Sequence, residues 1–485
     1  MKEIYLKCVG CNSEYLLNGL HPIYGCPNKA DDNINHILEK NLPENYQAPK
    51  ESETLTQSTY SRFKDYFFSY HLSTELNVDF EAILKDFDKG LINIGEPGFI
   101  ETPVVALENS DIINGKLIIK DETNNVTGSH KARHLMGNIL YIEVLVRAGI
   151  LKKKPRLAVY SCGNAGLGAA AVANAANYDL DVFIPPNLNK SVTDKLEKYR
   201  ANIVTCPRME YESGDPCYNR FQEALAEGSV PFSCSGPDNW PNIEGGQTLC
   251  LELMSQLNTE KIIPDSIVIQ VGGGALASSA IKTLEELLQN HSIDQLPTVY
   301  AVQTEGGFPL VRAYYLLIRQ IALANGLKCS FKFQKQNDST SSDSENSKVL
   351  DYFRNNQNEI KEITGFIKEN YSSPMVQNVL TKSVNNMDSV MWSWEVEPHS
   401  IAHGILDDIT YDWYKIIQGL FKSGGIPVVV NEARLIDANE IAHRLTDINV
   451  DPTGSSGLAG LMELISLGYI NKSDNSVVFF TGIVR

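Results

Sequence analysis

The stretch that decides the fold of this chain is Ile267-Val-Ile-Gln-Val271-Gly272-Gly273-Gly274-Ala275-Leu-Ala277. A buried apolar run, three glycines and the start of a helical segment follow one another, which predicts a strand, a tight turn and a helix. The turn from Gly272 to Ala275 presents unhindered backbone N–H groups at the positive end of the helix dipole, which suits a phosphate. The stretch also satisfies the dinucleotide pattern Gly-x-Gly-x-x-Ala, and Glu305 ends the next predicted strand, so a nicotinamide site is an alternative.

Six other apolar runs have the length and composition of buried strands. They cover residues 117–120, 157–160, 182–185, 299–303, 428–430 and 477–480. The stretches between several of them have helical periodicity, which predicts repeated β-α-β units. The expected fold class is therefore α/β, with open, mostly parallel twisted sheets.

Composition and charge limit the class of protein. The chain has 485 residues, 43% of them hydrophobic, and 42 basic against 59 acidic residues give a net charge of −17. Such an acidic balance argues against nucleic acid or an anionic membrane as the main partner. Nine scattered cysteines are typical of reduced thiols, and no window reaches the roughly 18–20 apolar residues of a membrane span. We therefore expect a cytoplasmic protein.

The first 40 residues carry three cysteines in the spacing of a zinc ribbon, Cys8, Cys11 and Cys26. The second knuckle is broken, because Lys29 stands where a fourth cysteine would complete a tetrahedron of thiolates. We expect residues 1–40 to form a degenerate zinc-ribbon-like module without a metal. Three thiolates with His21 or His36 as the fourth ligand remain the alternative.

A second candidate segment reads Lys120-Asp-Glu-Thr-Asn-Asn-Val-Thr-Gly-Ser-His-Lys131-Ala-Arg133. Ser129 can cap a helix that carries Lys131 in its first turn. The positive end of a helix dipole disfavours an ammonium ion, and an uncharged amine is a nucleophile for a carbonyl group. Arg133 is expected either to orient a substrate group or to form an ion pair on the helix surface.

Two further segments end predicted strands with polar groups. The strand at 157–160 leads into the turn Ser161-Cys162-Gly163-Asn164 and then into a helix rich in alanine and glycine. Backbone N–H groups and the Asn164 amide suit a carboxylate or a phenolic oxygen. The strand at 477–480 delivers Thr481 at its carboxyl end, where α/β proteins bind ligands.

Taken in order, these four segments resemble the fold-type II family of pyridoxal-phosphate enzymes, which includes threonine synthase, serine/threonine dehydratase and the tryptophan synthase β subunit. The resemblance extends from about residue 90 to residue 485. It implies pyridoxal 5′-phosphate as cofactor and Lys131 as the catalytic, Schiff-base lysine. It also assigns the cofactor's phenolic oxygen to Asn164, its phosphate to Gly272, Gly273, Gly274 and Ala275, its pyridine nitrogen to Thr481, and the substrate carboxylate to Ser161, Cys162, Gly163 and Asn164.

The same resemblance implies a lyase. A neutral hydroxyl at Thr481 does not hold a protonated ring strongly, which favours elimination or replacement of a β or γ leaving group over transamination. The ribbon resembles that of threonine synthases, whereas Ala132, Arg133 and the triple glycine resemble the dehydratases. Three alternatives stay open: a synthase that adds a nucleophile to aminoacrylate, a nicotinamide-dependent oxidoreductase, and a binding protein without a reaction.

The expected organisation is a linker over residues 41–60, a large cofactor-binding domain over 61–120 and 239–485, and a small α/β domain over 121–238. Residues 329–350 form a polar insertion too poor in apolar side chains to fold alone, which predicts a mobile surface loop. Asp407, Asp408 and Asp412 are expected at solvated helix positions. We further expect a small amino-acid substrate, no metal in the active site, and a homodimer.

Overall fold

A computed structural model of the protein describes residues 4–16, 21–42, 58–161, 163–186, 189–210, 215–335 and 339–485. Its strands are β1 (Tyr5–Cys8), β2 (Glu14–Leu16), β3 (Leu38–Asn41), β4 (Val104–Glu108), β5 (Lys116–Asp121), β6 (Leu157–Tyr160), β7 (Leu180–Ile184), β8 (Asn202–Thr205), β9 (Val230–Pro231), β10 (Ser266–Gln270), β11 (Thr298–Thr304), β12 (Pro427–Val430) and β13 (Ser476–Phe480). Its helices are α1 (Thr59–Arg62), α2 (Phe68–Glu75), α3 (Phe80–Asn93), α4 (Lys131–Arg147), α5 (Asn164–Ala175), α6 (Lys190–Lys198), α7 (Pro216–Ala226), α8 (Pro241–Thr259), α9 (Ala275–Gln289), α10 (Pro309–Ala324), α11 (Ser339–Asn355), α12 (Gln357–Glu369), α13 (Pro374–Val384), α14 (Trp413–Ser423), α15 (Glu432–Leu445) and α16 (Pro452–Ser466).

Two sheets with helices around them carry most of the chain. The six-stranded sheet has the order β12-β11-β10-β13-β5-β4, and every pair in it is parallel except β4 with β5. The four-stranded sheet, β8-β7-β6-β9, is parallel throughout. All seven strands predicted from apolar runs are present, and the α/β class is confirmed. The three-stranded ribbon β2-β1-β3 is antiparallel.

The position of β13 decides which parts of the chain meet. Although β13 comes last in the sequence, it lies between β10 and β5 in the large sheet. The three strands are parallel, so the segments that leave their carboxyl ends emerge at one edge of the sheet. Those segments are three of the four that the sequence singles out.

Helices α4 and α8 pack against each other at backbone distance. A Cβ atom on Gly137 would lie 2.3 Å from the carbonyl oxygen of Pro241, and one on Gly245 would lie 2.1 Å from that of Arg133. Any larger residue at either position would therefore push the two helices apart. This contact holds the start of α4, where Lys131 lies, against the helix that leads into β10.

A buried ionic cluster lies beside this crossing, and it corrects the expectation for Arg133. The guanidinium group is 1% exposed, with Nε 2.7 Å from Glu122 Oε2 and Nη1 2.9 Å from Glu252 Oε1. Lys120 Nζ lies 2.8 Å from Glu252 Oε2. Burial alone would raise the pKa of Glu252, but Arg133 and Lys120 outweigh it and hold that pKa at about 2. Arg133 thus faces neither a substrate nor the surface, because two carboxylates inside the fold require its charge.

The prediction of a loop over residues 329–350 is wrong for residues 339–350, which are helical. Residues from Ser339 onward form α11, and Val349 and Phe353 on that helix are buried in the main core. The ring of Tyr352 lies 5.4 Å from that of Tyr315 on α10, edge to face. The apolar residues just beyond the polar run have helical spacing, so packing on α10 stabilises a helix that the polar run by itself does not predict.

The N-terminal boundaries are only partly described. The predicted linker over 41–60 falls largely on residues 43–57, which lie outside the described ranges, and α1 begins at Thr59. None of the helices in the described part of the chain is long and apolar enough to cross a membrane. The domain boundaries themselves stay a prediction.

Candidate active site

The candidate residues meet at the carboxyl edge of β5, β13 and β10. Ser129, beyond β5, forms an antiparallel bridge with Gly482, beyond β13. The backbone N–H of His130 donates to the carbonyl oxygen of Thr481 at 3.3 Å, and that of Ile483 donates to Gly128 at 3.0 Å. The lysine segment and the end of β13, about 350 residues apart in sequence, are therefore joined by main-chain hydrogen bonds.

Lys131 is the first residue of α4 and is half-buried. The hydroxyl of Ser129 accepts its backbone N–H at 3.1 Å, but the expected cap is wrong by one residue, because α4 is capped by His130, whose side chain makes no capping hydrogen bond. Its ammonium group forms no hydrogen bond or ion pair with the residues that the structure describes. Its charge lowers the pKa values of Asp407 and Asp412, although burial of each carboxyl group is the larger effect and raises both. Among the described residues Lys131 thus has no fixed partner, and it lies near enough to Asp407 and Asp412 to influence both carboxyl groups.

Two histidines beside Lys131 are uncharged. Burial and the nearby Lys131 charge lower the pKa of His134 to about 3 and that of His130 well below its ordinary value. The Nδ1 atom of His134 lies 2.8 Å from the carbonyl oxygen of Asn242, and that of His130 lies 3.2 Å from that of Thr481. Because a carbonyl oxygen only accepts, both rings carry their proton on Nδ1. They orient the first turn of α4 without adding positive charge near the lysine.

The Asn164 amide is oriented by a residue that the sequence analysis missed. Asn164 begins α5, and its Oδ1 accepts hydrogen bonds from Arg485 Nε at 3.0 Å and Nη2 at 2.7 Å. Arg485 Nη2 also donates to the carbonyl oxygen of Thr127 at 2.6 Å. With its oxygen held in this way, Asn164 presents its NH₂ group as the donor. A single arginine after a strand gives no sequence signal for such a role.

The turn before Asn164 is open. Ser161 is half-buried, and its hydroxyl accepts the N–H of Gly163 at a long 3.4 Å. Gly163 is exposed, and a Cβ atom there would meet nothing within 4 Å. Cys162 lies outside the described residues. The described part of this turn leaves room for a ligand, as a substrate-binding segment requires.

Thr481 offers a neutral hydroxyl at the end of β13. The side chain is 2% exposed, and Gln270 Nε2 lies 2.8 Å from its Oγ1. The same Nε2 lies 3.0 Å from the carbonyl oxygens of Gly454 and Phe479, and its two hydrogens serve these three oxygens, which fixes the orientation of the amide. Because an amide nitrogen does not accept, the Thr481 hydroxyl does not give its proton to Gln270. Gln270 was missed, although it lies only two residues before the glycine loop, at the end of β10.

The glycine loop, Gly272 to Ala275, connects β10 to α9. Gly274 has φ +105°, which favours glycine, and the loop amides lie at the start of a 15-residue helix. A Cβ atom on Gly272 would lie 2.3 Å from Asp407 Oδ2, and the N–H of Gly273 donates to that carboxyl group. A carboxyl group of the chain itself therefore accepts a hydrogen bond from the loop, which is the type of contact that a phosphate oxygen would make.

The residues that cover the loop correct a second expectation. Asp407 and Asp412 precede α14 rather than lying on a helix, and Asp412 is 1% exposed. Asp412 accepts the N–H of Gly236, while its Oδ2 atom has no hydrogen-bond partner among the described residues. Burial, followed by the charge of Glu39, raises the pKa of Asp412 to about 7. The sequence pattern predicts solvated positions for Asp407 and Asp412. It cannot show that the fold brings the glycine loop against both of them.

The donor set fits a cofactor that carries an aldehyde and a phosphate. A lysine with no partner among the described residues, an oriented amide and a neutral hydroxyl lie on segments that meet beside the glycine loop in an α/β fold. Fold and site together thus define the pyridoxal-phosphate class of enzyme. Residues 96–344 match the family described as pyridoxal-phosphate dependent enzyme, and the chain belongs to that family. Its cofactor is pyridoxal phosphate. The family match favours pyridoxal phosphate over the nicotinamide alternative, and Glu305 forms an ion pair with Arg354.

Curated relatives agree with the family. Threonine synthase from Methanocaldococcus jannaschii is 22% identical over 409 residues, which cover 82% of this chain and 77% of that protein. L-serine dehydratase from Saccharomyces cerevisiae is 29% identical over 215 residues, or 42% of this chain and 61% of that protein.

Solved structures share the fold. Maize serine racemase superposes with a TM-score of 0.51 at 15% identity, over 83% of this chain and 94% of the racemase. A threonine deaminase from T.th. gives a TM-score of 0.52 at 18% identity, over 83% of this chain and 98% of the deaminase. At such identities the similarity concerns the fold, which is the one expected from the sequence.

Proposed function

We propose that the protein catalyses elimination or replacement of a β or γ substituent on a small L-amino acid, and hence is a lyase. The observation that carries this proposal is the neutral hydroxyl of Thr481, buried at the end of β13 on the bridge that joins β13 to the Lys131 segment. A carboxylate at that position would hold a proton on the cofactor ring. A hydroxyl group that contacts a neutral amide stabilises a proton on the cofactor ring only weakly.

Four groups of this chain would hold the cofactor. The Lys131 amine would bind its aldehyde, the NH₂ group of Asn164 would donate to its phenolic oxygen, and the glycine loop would bind its phosphate. The Thr481 hydroxyl would donate to its pyridine nitrogen. Bound there, pyridoxal phosphate would supply a conjugated system that withdraws electrons from the substrate's α-carbon. Arg485 is a positioning residue, because it acts on the cofactor only by orienting the Asn164 amide.

Proton transfer falls to Lys131. When it is not bound to the cofactor, the Lys131 amine would be free within the site to take the α-proton of the substrate. The neighbouring imidazoles of His130 and His134 are uncharged, so they do not compete for that proton near neutral pH. The open turn at Ser161 and Gly163 offers N–H donors to the substrate carboxylate. Cys162 belongs to the same proposed substrate segment.

Three types of assay test the reaction. Release of ammonia and a 2-oxo acid from L-serine or L-threonine would match the dehydratase type. Phosphate release from O-phosphohomoserine with formation of threonine would match the threonine synthase type, which the longer of the two alignments favours. Consumption of O-acetylserine or O-phosphoserine only when sulfide or sulfite is present would identify the synthase alternative. Protein that binds the cofactor but converts none of these substrates would contradict the proposal.

Replacement of Asp407 by asparagine is expected to tighten pyridoxal-phosphate binding about tenfold, or about 1.4 kcal/mol. The Asp407 carboxylate lies against Gly272 and accepts the Gly273 N–H, so it competes with any second anion for the same amides. A hydrogen bond to a charged group contributes about 1.5–3 kcal/mol. Asparagine keeps the shape and removes the charge. Titration of the apoprotein, followed by absorbance or by quenching of tryptophan fluorescence, measures the affinity.

Pyridoxal without its phosphate provides the control ligand, and its affinity should stay unchanged in the same variant. Asp408→Asn provides the control variant, since Asp408 is the exposed neighbour. Equal tightening for both ligands, or no tightening for either, would mean that Asp407 does not share the phosphate site.

A further inference from the structure

Four side chains of the N-terminal ribbon converge on one point. Cys8 ends β1, Cys11 lies in the turn that follows, and Cys26 and His36 belong to the connection between β2 and β3. One ligand atom from each lies within 4.8 Å of all the others. Cys8, Cys26 and His36 are at most 5% exposed, and none of the three cysteines is in a disulfide. The group combines three soft thiol ligands with one imidazole.

The distances within this group match a tetrahedral zinc site. With Zn–S bonds of about 2.3 Å and Zn–N bonds of about 2.0–2.1 Å, two sulfur ligands stand about 3.8 Å apart, and a sulfur and a nitrogen about 3.6 Å apart. In the protein Cys11 Sγ lies 3.7 Å from Cys26 Sγ, and Cys8 Sγ lies 3.6 Å from His36 Nδ1. A disulfide would require the two sulfurs to be about 2.05 Å apart.

Backbone N–H groups surround the sulfur of Cys8. The N–H groups of Gly10 and Cys11 are directed at the Cys8 sulfur, and the N–H of Asn12 closes the turn on the Cys8 carbonyl oxygen at 3.0 Å. Gly10 is required in this turn, because a Cβ atom there would lie 2.5 Å from Ile34 and 2.7 Å from the carbonyl oxygen of Asn35. That contact brings the turn against the segment that carries His36.

The imidazole of His36 is oriented by a carboxylate. Its Nε2 lies 3.3 Å from Asp32 Oδ2, so the ring proton belongs on Nε2 and the lone pair of Nδ1 faces the sulfur of Cys8. A carboxylate on the distal nitrogen of a metal-binding histidine is a regular outer partner, and it raises the basicity of the ligand. Asp32 is partly exposed, with 35% of its side-chain area accessible.

We propose that Cys8, Cys11, Cys26 and His36 bind one zinc ion. Of the two histidines that the sequence left open, only His36 lies in the group, and His21 is exposed. The broken knuckle at Lys29 is therefore completed by a histidine about ten residues beyond Cys26.

The position of the ribbon indicates a structural role for the ion. The loop between β2 and β3 contacts the protein body on two sides: the carbonyl oxygen of Ile23 accepts Trp240 Nε1 at 2.7 Å, and the N–H of Asn35 donates to Val384 at 2.8 Å. Trp240 lies directly before α8, and Val384 ends α13. Zinc would fix this loop while lying outside the catalytic edge, so its loss is expected to lower stability before it affects chemistry.

Metal analysis of the purified full-length chain tests the proposal. We expect about one zinc per chain by mass spectrometry of the metal. Exchange for cobalt should give the intense visible bands of tetrahedral cobalt with thiolate ligands. Asp32→Asn should keep the fold and release zinc to a chelator at about 10–100-fold lower chelator concentration. His36→Asn should lose the ion altogether, and Cys329→Ser and His21→Asn are controls that should retain it.

Protein that contains no zinc and gives no cobalt spectrum after reduction would overturn the proposal. A disulfide between Cys11 and Cys26 would also overturn it. Such a bond would lower the mass of the chain by two hydrogens relative to the reduced form and would be located by peptide mapping. Loss of zinc from His21→Asn with retention in His36→Asn would show that His36 is not the fourth ligand. None of these measurements depends on catalysis, so their outcome is independent of whether the proposed reaction is correct.

Discussion

Lys131→Ala is expected to lower turnover at least about a thousandfold and to abolish the visible absorbance of an imine between protein and cofactor. The variant removes both the amine that binds the aldehyde and the base that takes the α-proton. Its stability should stay within about 1 kcal/mol of the parent, because the ammonium group has no bonded partner among the described residues. Absorbance spectra, turnover and urea unfolding measure the three effects.

Lys153→Ala is the matched control, since Lys153 is exposed on the turn before β6. It should keep the spectrum and the rate of the parent. Borohydride reduction followed by peptide mapping adds a direct readout, with the cofactor expected on the peptide that contains Lys131. Recovery of the label on any other lysine, or an unchanged spectrum in Lys131→Ala, would rule out the role proposed for this residue.

Arg133→Met is expected to lower the free energy of unfolding by about 3–5 kcal/mol, the usual cost of removing one partner from a buried ion pair. The substitution leaves Glu122 without its guanidinium partner and Glu252 with Lys120 alone. Urea or thermal unfolding measures the loss, and low yield of folded protein is itself a consistent result.

A second substitution separates charge from packing. Adding Glu122→Gln to Arg133→Met removes the carboxylate that lost its partner, and should restore part of the lost stability. Arg147→Met, at the far end of the same helix, is the control: Arg147 is partly exposed, its ion pair with the exposed Asp86 contributes about 0–1 kcal/mol, and the buried Glu143 keeps its hydrogen bond from Tyr178. If Arg133→Met and Arg147→Met lost the same free energy of unfolding, the buried cluster would not depend on the guanidinium group of Arg133.

Much of the site could be predicted because local sequence encodes it. A strand followed by three glycines and a helix predicts the loop from Gly272, and the same logic finds Lys131, Asn164 and Thr481 at the ends of strands. Each of these signals depends on residues adjacent in the chain, such as Ser129 beside Lys131. The family resemblance then supplies the cofactor, and the family match confirms it.

The residues that were missed or misjudged act over long distances in sequence. Arg485 orients Asn164 across 321 positions, and Gln270 holds Thr481 across 211. Arg133 has the same charge whether it lies on a surface or between two buried carboxylates. Asp407 differs from a solvated aspartate only through the glycine loop that it faces.

The sequence by itself determined the order of strands and helices, the class of the fold and the chemical types of the site groups, because periodicity and turn residues act between near neighbours. Only the tertiary structure decided which charges are buried, which carboxylate occupies the anion loop, and which histidine joins the three cysteines. Those outcomes depend on the insertion of β13 between β10 and β5 and on the fold-back of the ribbon, and both are set by packing across the whole chain.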